Sequence, residues 1–110
     1  MLGKRAESDG QIIDVEVFGK KRTVKLNLVG SFQVSNALCA LGIALASGID
    51  TDKGLEYLEK VIGVRGRLEL AGRKNNGASI YIDYAHTPEA LKSVLTAVRY
   101  HASGKLNLVF

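Results

Sequence analysis

Apolar and polar positions alternate from Gln11 to Val29: Ile13, Val15 and Val17 share one face, Val24, Leu26 and Leu28 repeat the pattern, and Gly19-Lys20-Lys21 lies between. Period two on both sides of a glycine-containing turn predicts a β-hairpin with one side facing a core. The next stretch, Val34 to Ala46, is apolar nearly all round, through Val34, Ala37, Leu38, Ala40, Leu41, Ile43, Ala44 and Leu45. It predicts a buried helix, too short to cross a bilayer and stopped by Gly48 in a left-handed conformation. A second helix is expected from about Asp52 to Val61, capped by Asp50 or Thr51, with Leu55, Leu58 and Ile62 on one stripe and Glu56, Glu59 and Lys60 outside. A hairpin followed by two helices is an α+β arrangement.

The pattern changes at Gly63-Val64-Arg65-Gly66-Arg67, where neither period holds, and this segment reads as a hinge or domain boundary. Leu68 to Ala71 and Ser79 to Asp83 then read as two strands joined by the polar turn Arg73-Lys74-Asn75-Asn76-Gly77. Thr87-Pro88-Glu89 starts a helix, with a capping threonine, proline at the first helical position and an acid beside the positive dipole end. Leu91, Val94, Leu95 and Val98 form its apolar face; it runs to about His101, Gly104 ends it, and Leu106, Leu108 and Val109 open another strand. Strand, helix and strand predict a Rossmann-like βαβ unit with parallel strands and a right-handed crossover. The fold class is therefore α/β, an α+β piece followed by a βαβ unit. The strands are fewer than an open α/β sheet needs, so the chain reads as a fragment of a multidomain protein, spanning the end of one domain and the start of the next.

With 46% hydrophobic and 24% charged residues, the chain holds enough apolar surface for a core and too little charge density for disorder. It contains no long apolar run and no basic-then-apolar leader, so a soluble, cytoplasmic protein with no membrane partner is expected. The net charge of +4 invites nucleic acid, but the basic residues are scattered and there is no tryptophan for a stacking platform, so no nucleic-acid partner is expected. Cys39 is the single cysteine, which excludes an intrachain disulfide, and its place in the apolar helix reads as a small buried hydrophobe.

The sharpest chemical feature is Asp83-Tyr84-Ala85-His86-Thr87-Pro88, which joins a strand's C-terminal end to a helix N-terminus, the edge where ligands bind in open α/β sheets. An acid there can accept from two ribose hydroxyls, a loop histidine can meet a phosphate or a base, and free helix N–H groups favour an anion. The competing reading is a capped loop, with Asp83 bonding nearby backbone N–H groups and His86 solvated. Arg65 and Arg67 could clamp a phosphate from the hinge, or be plain solvated charge. Ser35 and Asn36 are both good helix caps, and Asn36 could instead hydrogen-bond an adenine-like edge. His101 at a helix C-terminus, where the dipole favours a cation, reads as structural. No Walker-type phosphate loop, paired-carboxylate site or Ser-His-Asp arrangement is present, and no residue is expected to be catalytic or a metal ligand. The residues alone lead as far as a nucleotide-facing cleft.

At these same residues the chain resembles a known family, the Mur ligases of peptidoglycan synthesis. Asp83-Tyr84-Ala85-His86-Thr87-Pro88-Glu89-Ala90-Leu91 is similar to the C-terminal-domain motif of the branch that adds the third peptide residue. Gly30-Ser31-Phe32-Gln33-Val34-Ser35-Asn36-Ala37-Leu38 resembles the Gly-x-Phe-Asn-x-x-Asn-Ala block of the central ATPase domain, and Gly66-Arg67-Leu68-Glu69 matches the domain junction. Two positions depart: Arg65 stands where the family usually has proline, and Gln33 where asparagine is common. The resemblance implies that residues 1–64 are the end of the central ATP-binding domain and residues 65–110 the start of the C-terminal Rossmann-like ligase domain.

It also implies an ATP- and magnesium-dependent amide ligase of cell-wall synthesis. Such an enzyme activates the D-glutamate carboxylate of UDP-N-acetylmuramoyl-L-alanyl-D-glutamate as an acyl phosphate and joins it to meso-diaminopimelate, or alternatively lysine. In that frame Asn36 faces the adenine, Arg67 reaches the ATP phosphates, Asp83 holds the ribose and His86 lines the nucleotide. The family's phosphate loop and amino-acid-selecting motif are not among these residues, so the chain alone is expected to be inactive and at best a weak ATP binder. A truncated sheet also leaves self-association through exposed edges open. The alternatives are another ligase of the superfamily, of the cyanophycin or folylpolyglutamate synthetase type, and a non-catalytic module that binds a nucleotide or a partner surface.

Overall fold

The computed structural model describes all 110 residues as two small lobes that pack against each other. The first begins with an antiparallel meander of β1 (Gly3–Glu7), β2 (Gly10–Val17) and β3 (Lys20–Leu26). In the β2–β3 hairpin Ile13 stands opposite Val24 and Val17 opposite Lys20, so the turn is Phe18-Gly19 rather than Gly19-Lys20-Lys21. Both turn residues have positive φ, 49° and 79°, as a two-residue turn matched to strand twist requires. β1 escaped the pattern reading because Gly-Lys-Arg-Ala-Glu carries no alternating apolar residues; its backbone ladder to β2 holds it, from Gly3 opposite Asp14 to Glu7 opposite Gly10.

Two helices cover one face of the meander. α1 (Ser31–Ala46) starts three residues earlier than periodicity predicts, with Gly30 as an N-cap that offers no side chain. Ser35 and Asn36 therefore lie inside the helix and cap nothing. Only Gln33, Val34, Ala37 and Leu41 of α1 are buried. Its other side is open, so Cys39 is exposed rather than buried, and Ile43 is 68% exposed. α2 (Thr51–Glu59) is capped as expected by Asp50, whose carboxylate accepts from the backbone N–H groups of Asp52 and Lys53. Leu55 and Leu58 enter the core, whereas Ile62 lies beyond the helix end and is 84% exposed. Ile13, Val15, Val24, Leu26, Val34 and Leu55 are the largest fully buried side chains and make this lobe's centre.

The second lobe consists of the antiparallel pair β4 (Glu69–Arg73) and β5 (Ser79–Ile82), with a bulge at Ala71, and α3 (Pro88–Arg99). Thr87 caps α3 by accepting from the Ala90 N–H. No strand follows: 106–110 forms neither helix nor strand, with Val109 and Phe110 fully or nearly fully exposed. The βαβ unit expected from sequence thus lacks its closing strand. Parallel pairing is stable where both sheet faces are covered, and in this chain the outer face, at Ile80 and Ile82, is open.

The lobes are joined at Gly30. Its C=O accepts from the buried Gln11 amide at 2.8 Å, and its N–H donates to His101 Nε2 at 3.2 Å. A Cβ on Gly30 would lie 3.1 Å from Leu68 Cδ1 and 3.3 Å from Ala97 Cβ. Val29 and Phe32 from the first lobe pack there with Leu68, Ala97, Val98 and Tyr81 from the second. The β1–β2 turn is seated on the second lobe by Tyr81 Oη donating to Ser8 O (3.0 Å), His101 Nδ1 donating to Glu7 O (2.6 Å) and an Arg73–Asp9 ion pair (3.5 Å). Burial raises the Tyr81 phenol above the usual tyrosine range, which keeps it a donor.

Candidate functional site

Between the lobes, the part of the predicted hinge or boundary from Val64 to Glu69 is a hydrogen-bonded turn. Arg67 N–H donates to Val64 O (3.0 Å), Gly66 N–H to Glu69 Oε2 (2.9 Å) and Tyr84 N–H to Gly66 O (2.9 Å). Leu68 next to it is buried and holds φ at 46°, a left-handed conformation that costs a non-glycine residue about 1–3 kcal/mol and persists only where the surroundings impose it. Asp83 supplies that constraint, with Oδ2 accepting the Leu68 N–H at 2.9 Å and Oδ1 accepting the Ala85 N–H at 2.8 Å.

These bonds bring three of the four sequence-derived candidates to one cleft. A cavity of about 330 Å³ is lined by Arg67, Asp83, Tyr84 and His86, together with Phe32 from α1 and residues of the first turns of α3. Arg67 is exposed and its guanidinium lies 5.6 Å from the centre of the Tyr84 ring. The Tyr84 and His86 rings sit 5.0 Å apart, and His86 Nδ1 donates to Tyr84 O at 3.0 Å, which leaves Nε2 free on an exposed ring. The capped-loop reading of Asp83 thus describes its local bonds. Each carboxylate oxygen carries one backbone donor and retains a further acceptor site.

Asn36 does not line this cleft. Its amide donates to Gln33 Oε1 at 3.3 Å, and Gln33 Nε2 donates in turn to Arg67 O at 3.2 Å, so Asn36 is linked to the site through Gln33. Arg65 is exposed outside the cleft lining. His101 is structural, but not as a cation: a backbone N–H donates to Nε2 and a backbone carbonyl accepts from Nδ1, which fixes a neutral ring with its proton on Nδ1. Sequence reasoning passed over Tyr84 and Gln33. Tyr84 is an aromatic directly after a strand-end acid, a signal that was present and unused; Gln33 stood out only as a departure from the family block.

A basic side chain on a pinned turn, opposite the N-terminus of a helix and beside a carboxylate with spare acceptor sites, defines an α/β chain with a cleft suited to a polar, anionic ligand. Comparison with known proteins narrows this class. The family model for the Mur ligase, glutamate ligase domain, matches residues 66–110. UDP-N-acetylmuramoyl-L-alanyl-D-glutamate–2,6-diaminopimelate ligase from Zymomonas mobilis is 42% identical over 110 residues, 100% of this chain and 23% of the relative. The ligase of the same name from Agrobacterium fabrum is 48% identical over 91% of this chain and 20% of its own length. Among solved structures, UDP-N-acetylmuramate-alanine ligase from Thermotoga maritima matches 90% of this chain and 24% of its own, at 30% identity and a TM-score of 0.75. A UDP-N-acetylmuramoyl-L-alanyl-D-glutamate–2,6-diaminopimelate ligase matches 92% of this chain and 20% of its own, at 29% identity and a TM-score of 0.74. The chain is thus similar to Mur ligases over its whole length, and residues 66–110 match their ligase domain. It spans about a fifth to a quarter of the length of the curated relatives it matches.

Proposed function

We propose that this chain forms the nucleotide-facing wall of an ATP-dependent amide ligase of peptidoglycan synthesis. The reaction is the addition of meso-diaminopimelate, or lysine, to UDP-N-acetylmuramoyl-L-alanyl-D-glutamate in the cytoplasm, with ATP activating the D-glutamate carboxylate. The observation that carries the reading is the convergence of Arg67, Asp83 and His86 from two separate segments on one cleft, in a chain whose relatives bear that ligase name. Residues 1–64 are read as the end of the ATP-binding domain and residues 65–110 as the start of the ligase domain, with the cleft at their seam.

The cleft residues fit a nucleotide by their donor and acceptor sets. Arg67 offers a guanidinium to phosphate oxygens, Asp83 keeps acceptor sites for ribose hydroxyls, and His86 presents an unpaired Nε2. Asn36 lies on α1 outside the cleft lining, and in this reading it would meet the base beyond that lining, with its amide held by Gln33. Magnesium enters this reading with ATP, since such an ion is held largely by phosphate oxygens and waters with one or two carboxylates.

The test is calorimetric titration of the 110-residue chain with Mg-ATP and with adenosine, in wild type and Arg67→Ala. Arg67 makes its structural bonds through the backbone, so the variant removes a ligand contact and spares the turn. Saturable Mg-ATP binding that the substitution weakens while adenosine binding persists is expected. Absence of Mg-ATP binding, or equal affinity in the variant, would sink the assignment of these residues.

A further inference from the structure

We propose that Tyr84 is a positioning residue, whose ring holds the Arg67 guanidinium over the cleft. This rests on the reading of Arg67 as a phosphate contact and adds a residue with no role in it so far. Several groups of Tyr84 engage the site. Its N–H fixes the turn through Gly66 O, its C=O receives the His86 ring N–H, and its ring centre lies 5.0 Å from that of His86 and 5.6 Å from the Arg67 guanidinium carbon.

Tyr84 is 67% exposed, so hydrophobic burial does not account for its place. Arginine has a long, flexible side chain, and a guanidinium free to sample solvent loses entropy when it binds a phosphate. Attraction to the face of a ring that the backbone already fixes lowers that loss, because a cation within about 6 Å of the ring centre is held electrostatically while its N–H groups stay available to oxygen ligands. The phenol oxygen makes no hydrogen bond within the chain, so the ring alone carries the effect.

The experiment compares Tyr84→Leu and Tyr84→Phe. Both keep the backbone bonds, and thermal unfolding monitored by circular dichroism checks that both remain folded. Calorimetry is expected to show Mg-ATP affinity about two- to fivefold weaker in Tyr84→Leu, the factor an exposed cation–π contact supports. Adenosine affinity should be unchanged, and Tyr84→Phe should match wild type. A loss shared equally by adenosine, or no rescue by phenylalanine, overturns the proposal.

A ligand-free arm separates this proposal from the assignment of the nucleotide. In NMR spectra of the free chain, the Arg67 side-chain protons should be shifted upfield by the ring in wild type and Tyr84→Phe and revert in Tyr84→Leu. If wild type fails to bind Mg-ATP while this shift is present, the nucleotide reading falls and the Arg67–Tyr84 contact stands. If the shift is absent from wild type, the positioning role falls whatever the ligand.

Discussion

Replacing His101 with leucine should loosen the junction between the lobes, and the cost can be worked from two bonds. The ring accepts from the Gly30 N–H at 3.2 Å and donates to Glu7 O at 2.6 Å, so one side chain ties residues 94 and 71 positions away in sequence to the end of α3. Gly30 is buried, and a buried donor stripped of its acceptor costs about 1–3 kcal/mol. Glu7 is partly accessible, and water recovers part of the second bond, leaving about 2 kcal/mol in all. For a chain of this size that lowers the midpoint of thermal unfolding by about 8–16 °C. Urea denaturation of the two proteins measures the difference directly, and amide exchange locates it: the Gly30 amide should lose protection in the variant more than amides in the β2–β3 ladder. A loss below about 0.5 kcal/mol with unchanged protection of Gly30 would refute the claim that His101 carries the junction.

Gly30→Ala should be worse than a typical surface change, because φ is +95° there and the new Cβ would meet Phe32 at 3.0 Å and Leu68 at 3.1 Å. The expected loss is about 2–4 kcal/mol, read by thermal denaturation. Asp83→Ala should cost about 1–3 kcal/mol even without ligand, since it strips the acceptor from the buried Leu68 N–H in its left-handed conformation; unchanged stability in urea would show that Leu68 does not depend on it. Lys20 holds the Asp52 carboxyl below its ordinary value of 3.8 through a hydrogen bond and its charge. The folded-state value lies below the unfolded one, so the pair's contribution is present above the ordinary carboxylate range and lost as pH falls through the lowered value. NMR titration should find Asp52 low in wild type and returned toward 3.8 in Lys20→Met.

The elements with strong local signals were legible in the sequence. Strict alternation placed Ile13, Val15, Val24 and Leu26 in the core, and Asp50 and Thr87 cap the helices their positions announced. Three features were not legible, each for a reason that lies outside local pattern. β1 exists because β2 offers it a ladder, not because of its own composition. Cys39 and Ile43 are exposed because burial is decided by what packs on a helix, and one side of α1 has no neighbour in this chain. The strand expected at Leu106–Val109 has apolar residues but no partner, and backbone pairing cannot be read from one segment alone. At the site, residue types pointed to Arg67, Asp83 and His86, while the Gln33 link depends on an orientation that only packing sets.

The arrangement around Asp83 explains why fold and candidate function are hard to separate here. One carboxylate holds Leu68 in a strained conformation and caps the Ala85 turn, so it orients the Arg67 side of the cleft and the His86 side together. Removing the carboxylate would therefore disturb two neighbours as well as any ribose contact, and a drop in nucleotide affinity in Asp83→Ala would not by itself identify a ligand contact. Arg67 is the cleaner probe because its backbone does the structural work and its guanidinium projects into the cleft. Asp83→Asn adds a graded step. Its amide oxygen can keep one backbone donor while losing the charge and the second acceptor, so a ribose contact predicts a larger fall in adenosine affinity than in folding stability, whereas a purely structural role predicts that the two fall together.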